Sequence, residues 1–173
     1  MTKNKTFLPI YNDLVFKNLF GVSKNIENTT NLLEALFNLE KGTLEGSKII
    51  NSVTLDKDTV LNKKFELDIK LEDPFGNIYN LEMQRKLDKN AEIKNFIYIT
   101  GLFFTNLKPG ENYKNMNKVV QLEFVKNNYV HKNKDIIKKY CICNVTDIED
   151  KILEDLFYIL IIDVDQDRNT EYN

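Results

Sequence analysis

Asp68 and Glu82 are two carboxylates whose spacing would set them face to face. The segment around them, residues 65–84, reads Phe-Glu-Leu-Asp-Ile-Lys-Leu-Glu-Asp-Pro-Phe-Gly-Asn-Ile-Tyr-Asn-Leu-Glu-Met-Gln. Like charges directly opposed on a β-ladder destabilise it, so a chain that keeps them there invites a cation. Mg²⁺ suits such a place, because it takes one or two carboxylates and completes its shell with water and substrate phosphate. Metal-assisted phosphodiester hydrolysis is the leading chemistry. The competing reading is the solvated polar face of an ordinary hairpin.

The opposition follows from the alternation. From Phe65 to Leu71 apolar residues alternate with Glu66, Asp68 and Lys70, the period of a half-buried strand. A second alternation runs from Asn77 to Gln84, with Tyr79, Leu81 and Met83 on one side and Ile78, Asn80, Glu82 and Gln84 on the other. Pro74 suits the first turn position and Gly76 the left-handed one, the pattern of a three-residue hairpin loop. With Asp73 opposite Asn77, Leu71 meets Tyr79, Ile69 meets Leu81 and Leu67 meets Met83 on the core side. Asp68 then meets Glu82, and Glu66 meets Gln84, on the polar side. Opposed Cβ atoms lie roughly 4.5–5.5 Å apart, within reach of one bridging ion. Slipping the register by one residue would turn every apolar side chain outward.

Other elements must position this hairpin. Leu14, Phe16, Leu19 and Phe20 have helical spacing within residues 10–20, closed by Gly21, with Asp13 and Lys17 as i,i+4 neighbours. A second helix is expected from about residue 28 to Gly42, a short strand over 49–55, and an aromatic-rich helix over 91–107. That last helix is read as a core element rather than a base-stacking platform. Strands are expected over 119–125, 140–145 and 157–164, and Thr146-Asp147-Ile148-Glu149 matches a capping box for a short helical turn. The order helix, helix, strand, hairpin, helix, strands implies an α/β sandwich.

Composition excludes some classes. The chain has 173 residues, is 42% hydrophobic and carries a formal charge of −2, so no overall basic field attracts nucleic acid and any such site must be local. Arg85 and Arg168 are the only arginines, and His131 is the single histidine, which excludes His-based zinc and metal-nuclease motifs. Cys141 and Cys143 are expected to be reduced core thiols. No segment reads as a signal peptide or membrane span, which leaves the cytoplasm and no membrane partner. The lysine-rich connection over 126–139 is read as an exposed loop.

Three segments together resemble the PD-(D/E)XK nuclease superfamily: Asp13-Leu14-Val15-Phe16-Lys17, Leu67-Asp68-Ile69-Lys70 and Leu81-Glu82-Met83-Gln84. More narrowly the chain is similar to PD-(D/E)XK nuclease family transposases, which are related to recombination-promoting nucleases. The resemblance implies a restriction-endonuclease-like αβββαβ core, a mixed sheet flanked by helices, and Mg²⁺- or Mn²⁺-dependent DNA endonuclease activity linked to transposition or recombination. It implies Asp68 and Glu82 as metal ligands, Gln84 in the place of the usual lysine, Asp13 as an upstream acid, and Lys17 and Lys70 as DNA contacts. DNA is the implied partner, and a homodimer is expected because nucleases of this fold often pair. One nuclease-like domain over residues 1–165 and a polar tail over 166–173 are expected.

The chain departs from the family pattern in three ways. Leu67 stands where the superfamily has proline. Glutamine at 84 supplies no positive charge. The arginine expected in the stretch Lys94-Asn95-Phe96-Ile97-Tyr98 reads as lost to Asn95. Family members commonly continue further, so ending at Asn173 suggests a core domain or a shortened relic. The alternative function is a catalytically silent nuclease fold that binds DNA or protein.

Overall fold

Fifteen of the buried apolar side chains gather on one side of a six-stranded mixed sheet, and a separate apolar layer covers the other side. The computed structural model describes residues 8–50, 67–86, 89–106, 110–127 and 135–164. The expected strand over 49–55 falls partly outside these, as do Glu66, His131, Arg168 and the tail.

Helix α1 (Asp13–Phe20) begins at Asn12, whose side chain accepts from the Leu14 and Val15 N–H groups. That cap explains why the helix starts later than its apolar pattern. Gly21 ends it with φ −97°, outside the left-handed region expected of a C′ glycine. Close approach is the reason for glycine here: a Cβ would lie 2.7 Å from the Lys17 carbonyl oxygen and 3.0 Å from Ile69 Cγ1. Helix α2 (Ile26–Leu36) follows a 3₁₀ turn at Ser23–Asn25.

The sheet contains β1 (Lys48–Ile50), β2 (Ile69–Glu72), β3 (Ile78–Lys86), β4 (Val119–Asn127), β5 (Ile137–Tyr140) and β8 (Phe157–Asp163), in the order β1-β2-β3-β4-β8-β5. Strands β3, β4 and β8 run parallel, and the others pair antiparallel. Helix α3 (Lys89–Thr105) makes the crossover between β3 and β4 and packs on the sheet. The hairpin has the expected register, with Ile69 opposite Leu81, Lys70 opposite Asn80 and Leu71 opposite Tyr79. Gly76 has φ +85°, and Asp73 Oδ1 accepts from the Phe75 and Asn77 N–H groups to close the loop.

Phe16, Phe20 and Leu33 of the first two helices pack with Leu71, Leu81, Leu122 and Leu160 on one face. Tyr98, Ile99 and Leu102 of α3 pack with Leu67, Ile78, Val119 and Phe157 on the other. Leu67 therefore lies on the α3 side and not with Met83, because the chain leaves the ladder before β2 begins. The polar face of the hairpin is buried beneath α3, with Asn80 and Glu82 both at 0% exposure, which removes the competing reading of a solvated face.

Three further expectations are corrected. Thr146–Glu149 caps no helix: Asn144 Oδ1 takes the Thr146 N–H and hydroxyl, and the chain turns into a second small sheet of β6 (Ile142–Asn144) and β7 (Asp147–Ile152). An Asx turn competes for the same backbone donors that a cap would use. Both cysteines are free; Cys141 is half-buried and packs against the main core, whereas Cys143 is exposed and is not a core thiol. Tyr98 is core, whereas Phe96 and Phe104 of the same helix are exposed.

Candidate active site

β3 and the residues just before β2 bring the two carboxylates together. The Asp68 N–H donates to Glu82 Oε1 at 3.0 Å, and the Met83 N–H donates to Asp68 Oδ2 at 3.2 Å. Asp68 stands one residue outside the ladder, and its side chain replaces a backbone acceptor for β3. The carboxylates are thus bound to each other's strand rather than merely opposed. Glu82 is fully buried, and Asp68 keeps a 16% exposed side chain.

Each carboxylate holds a lysine. Lys17 Nζ is 2.9 Å from Asp68 Oδ1 and 3.3 Å from Asp13 Oδ1, so α1 joins the hairpin through one ammonium. Asp13 itself stays exposed at the rim. Lys94 Nζ, from α3, is 2.8 Å from Glu82 Oε2 and 4.9 Å from the centroid of the Tyr98 ring. Burial lowers both lysines, but the carboxylates they touch outweigh it and raise each ammonium above its usual value. Burial, then the Asp68 charge, pushes the Glu82 carboxyl up, and Lys94 draws it partly back.

A second buried acid lies beside this pair. In the parallel register of β3 and β4, Asn80 is level with Gln121 and Glu82 with Glu123. The Asn80 amide donates to Gln121 Oε1 at 2.7 Å, and the Gln121 amide donates to Glu123 Oε2 at 3.4 Å. Burial and the neighbouring Glu82 charge push the Glu123 carboxyl up to about 8. The 2.8 Å ammonium contact marks Glu82 as the ionised member of the pair and Glu123 as the protonated one. Among the described residues Glu123 Oε1, Asn80 Oδ1 and Asn95 Oδ1 have no hydrogen-bond partner. This polar row is short of donors, and a proton on Glu123 adds one.

Of the other expected residues, Gln84 is half-buried and shares the Glu82 side of β3. Lys70 is half-buried on β2; burial lowers its ammonium, and the charge that opposes this is Glu72 rather than Asp68. Asn95 is buried and its side chain hydrogen-bonds to Glu123, so it faces the sheet and not a phosphate. Sequence reasoning missed Glu123 and the part played by Lys94. The signal was present: Gln121 and Glu123 alternate with Val120, Leu122 and Phe124 in an expected strand, and once such a strand is central its unpaired polar residues are costly.

Among the described residues no group of three or more His, Cys, Asp or Glu side chains could hold a metal. A site here would rest on Asp68 and Glu82 alone, a donor set that suits a largely hydrated Mg²⁺. Both carboxylates already accept a cation in the form of an ammonium.

A mixed sheet flanked by helices, with Asp68 and Glu82 on its hairpin, defines a restriction-endonuclease-like α/β fold. The family model for PD-(D/E)XK nuclease family transposases matches residues 10–172, and the chain belongs to that family. Membership groups it with nucleases related to transposition. No curated protein and no solved structure matches the chain. Among the described residues no helix is long and apolar enough to cross a membrane.

Proposed function

We propose that this protein is a metal-dependent DNA endonuclease linked to transposition or recombination, with Asp68 and Glu82 holding Mg²⁺ or Mn²⁺. Support comes from the mutual tie of these two carboxylates through the Asp68 and Met83 N–H groups. An ion held there would supply an activated water and neutralise charge on the scissile phosphate. Glu82, buried against α3, fixes one side of the site, and Asp68 keeps the exposure that substrate access needs. Gln84 orients water or phosphate, since its amide both donates and accepts. Lys17, steadied by Asp13, contacts backbone phosphate, and Lys70 adds a second contact on the neighbouring strand. The protein acts in the cytoplasm as a single nuclease domain over residues 1–165, and pairs as a homodimer on DNA.

Plasmid nicking tests this. Purified protein should nick supercoiled DNA only with Mg²⁺ or Mn²⁺, and Glu82→Ala should lower the rate by about 10²-fold or more. Metal-independent nicking, or an unaffected variant, would sink the assignment.

A second reading has its own support. Glutamine at 84 and a lysine on each carboxylate also suit a fold that has lost cleavage and binds DNA or protein with its charges internally neutralised. Such a protein would bind no divalent ion at Asp68.

A further inference from the structure

A cavity of about 300 Å³ lies between α3 and the β8–β5 edge of the sheet. Glu92, Asn95, Phe96, Tyr140, Ile159 and Ile161 line it, and neither Asp68 nor Glu82 does. The two places are nonetheless linked, because Glu82, Glu123 and Ile161 are level across β3, β4 and β8. With strands about 4.8 Å apart, Ile161 stands roughly 10 Å from Glu82. The cavity has the make-up of a small-ligand site, apolar walls with a few polar groups. Ile159 and Ile161 form its sheet side, while α3 contributes the Phe96 ring, 59% exposed, and β5 the Tyr140 ring. Burial, then the Glu92 charge, pushes the Tyr140 hydroxyl up, so that carboxylate lies close to the ring. Asn95 is buried in the wall, and its Oδ1 has no hydrogen-bond partner among the described residues. An amide oxygen left this way is costly until a donor arrives.

We propose that this cavity holds an unpaired guanine base of a DNA strand that passes the Asp68–Glu82 site. This rests on the DNA-binding part of the reading above. Glu92 and Asn95 are i,i+3 neighbours on α3, so their acceptors stand together. Two adjacent acceptors call for two adjacent donors. Guanine alone among the four bases carries them, at N1 and N2; the others set an acceptor beside their donor. N1–H and one N2–H suit the Glu92 carboxylate, and the second N2–H suits Asn95 Oδ1. The Phe96 and Tyr140 rings offer faces on which a base can stack. A neutral ligand is favoured over an ammonium, because burying charge against Ile159 and Ile161 is expensive. The base must be unpaired, since pairing hides this edge.

Fluorescence anisotropy in the absence of divalent metal tests this without cleavage. The probes are short labelled oligothymidylates carrying one central guanine, adenine or hypoxanthine. Wild type should bind the guanine probe about tenfold more tightly than the adenine probe. Hypoxanthine, which lacks the 2-amino group, should fall between them. Phe96→Ala, at an exposed position, should weaken the guanine probe about tenfold. Glu92→Gln should still bind but lose most of the preference, because an amide places a donor where the carboxylate accepted. Equal binding of the three probes, or a preference that survives Glu92→Gln, would overturn the proposal. So would dGMP binding as tightly as the guanine strand, which would assign the cavity to a free nucleotide. Absence of binding with metal-dependent plasmid nicking retained refutes the base site alone. Absence of both refutes the nuclease reading, and the base site with it.

Discussion

Glu82 and Glu123 lie level in adjacent parallel strands, both fully buried, one on an ammonium and the other with an unpartnered oxygen. Two ionised carboxylates cannot share such a place cheaply, and their opposed environments divide the work. Lys94 keeps Glu82 charged. Glu123, with its carboxyl pushed up to about 8, stays protonated near neutrality.

This division makes stability depend on pH. The folded-state value of Glu123 lies above its unfolded value, so the folded protein binds more protons between the two. Its contribution is full below the ordinary carboxylate range and is lost as pH rises through about 8. The slope of stability against pH should approach about −1.4 kcal/mol per unit near its steepest. Urea unfolding of wild type and Glu123→Gln at pH 5, 7 and 9 checks this. The variant should gain on wild type as pH rises, and parallel curves would contradict it.

Metal affinity should also rise with pH. Burial and Asp68 hold the Glu82 carboxyl above its usual range, and a ligand must lose its proton to bind metal. Mn²⁺ titrations at pH 4.5 and 7.5 should show tighter binding at the higher value, with net proton release at the lower. A constant affinity would mean that Glu82 is not a ligand.

Gly21 couples α1 to the hairpin through space that only glycine leaves open. Gly21→Ala brings a Cβ to 2.7 Å from a backbone oxygen and 3.0 Å from Ile69. The expected loss is about 1–3 kcal/mol of stability, the range for overpacking. Chemical denaturation measures it directly, and a neutral result would show that α1 can shift on the sheet.

Lys17 links Asp13 on one helix to Asp68 on the hairpin. The Asp13 contact is an exposed i,i+4 pair, worth a few tenths of a kcal/mol (about 0.2–0.5). Lys17→Ala also leaves the largely buried Asp68 carboxylate without its ammonium, so it should cost about 1–3 kcal/mol of stability, and it should weaken binding to a short DNA duplex, most clearly at low salt. Unchanged DNA affinity would remove Lys17 from the interface.

The hairpin was legible because its alternation, Pro74 and Gly76 all specify one register, and the structure has that register. The same alternation misled on burial. A polar row reads as a solvent face, yet α3 covers Asn80 and Glu82, and the crossover geometry that puts it there is absent from any local pattern. Glu123 escaped for a related reason: its meaning depends on pairing with Glu82 from 41 residues away, a parallel register that no turn encodes. Helix phase turns Asn95 to the sheet and Lys94 to the acid, a placement that the local sequence of the helix did not single out. Local competition explains the capping-box error, where Asn144 offered the backbone a turn instead.

Calorimetric titration of Mn²⁺ into wild type and Asp68→Ala tests the central claim most directly. The wild-type protein should bind a single ion with measurable affinity, and Asp68→Ala should lose that binding while keeping its unfolding transition. Equal binding by both proteins, or none by a folded wild type, would contradict a cation site at Asp68 and Glu82.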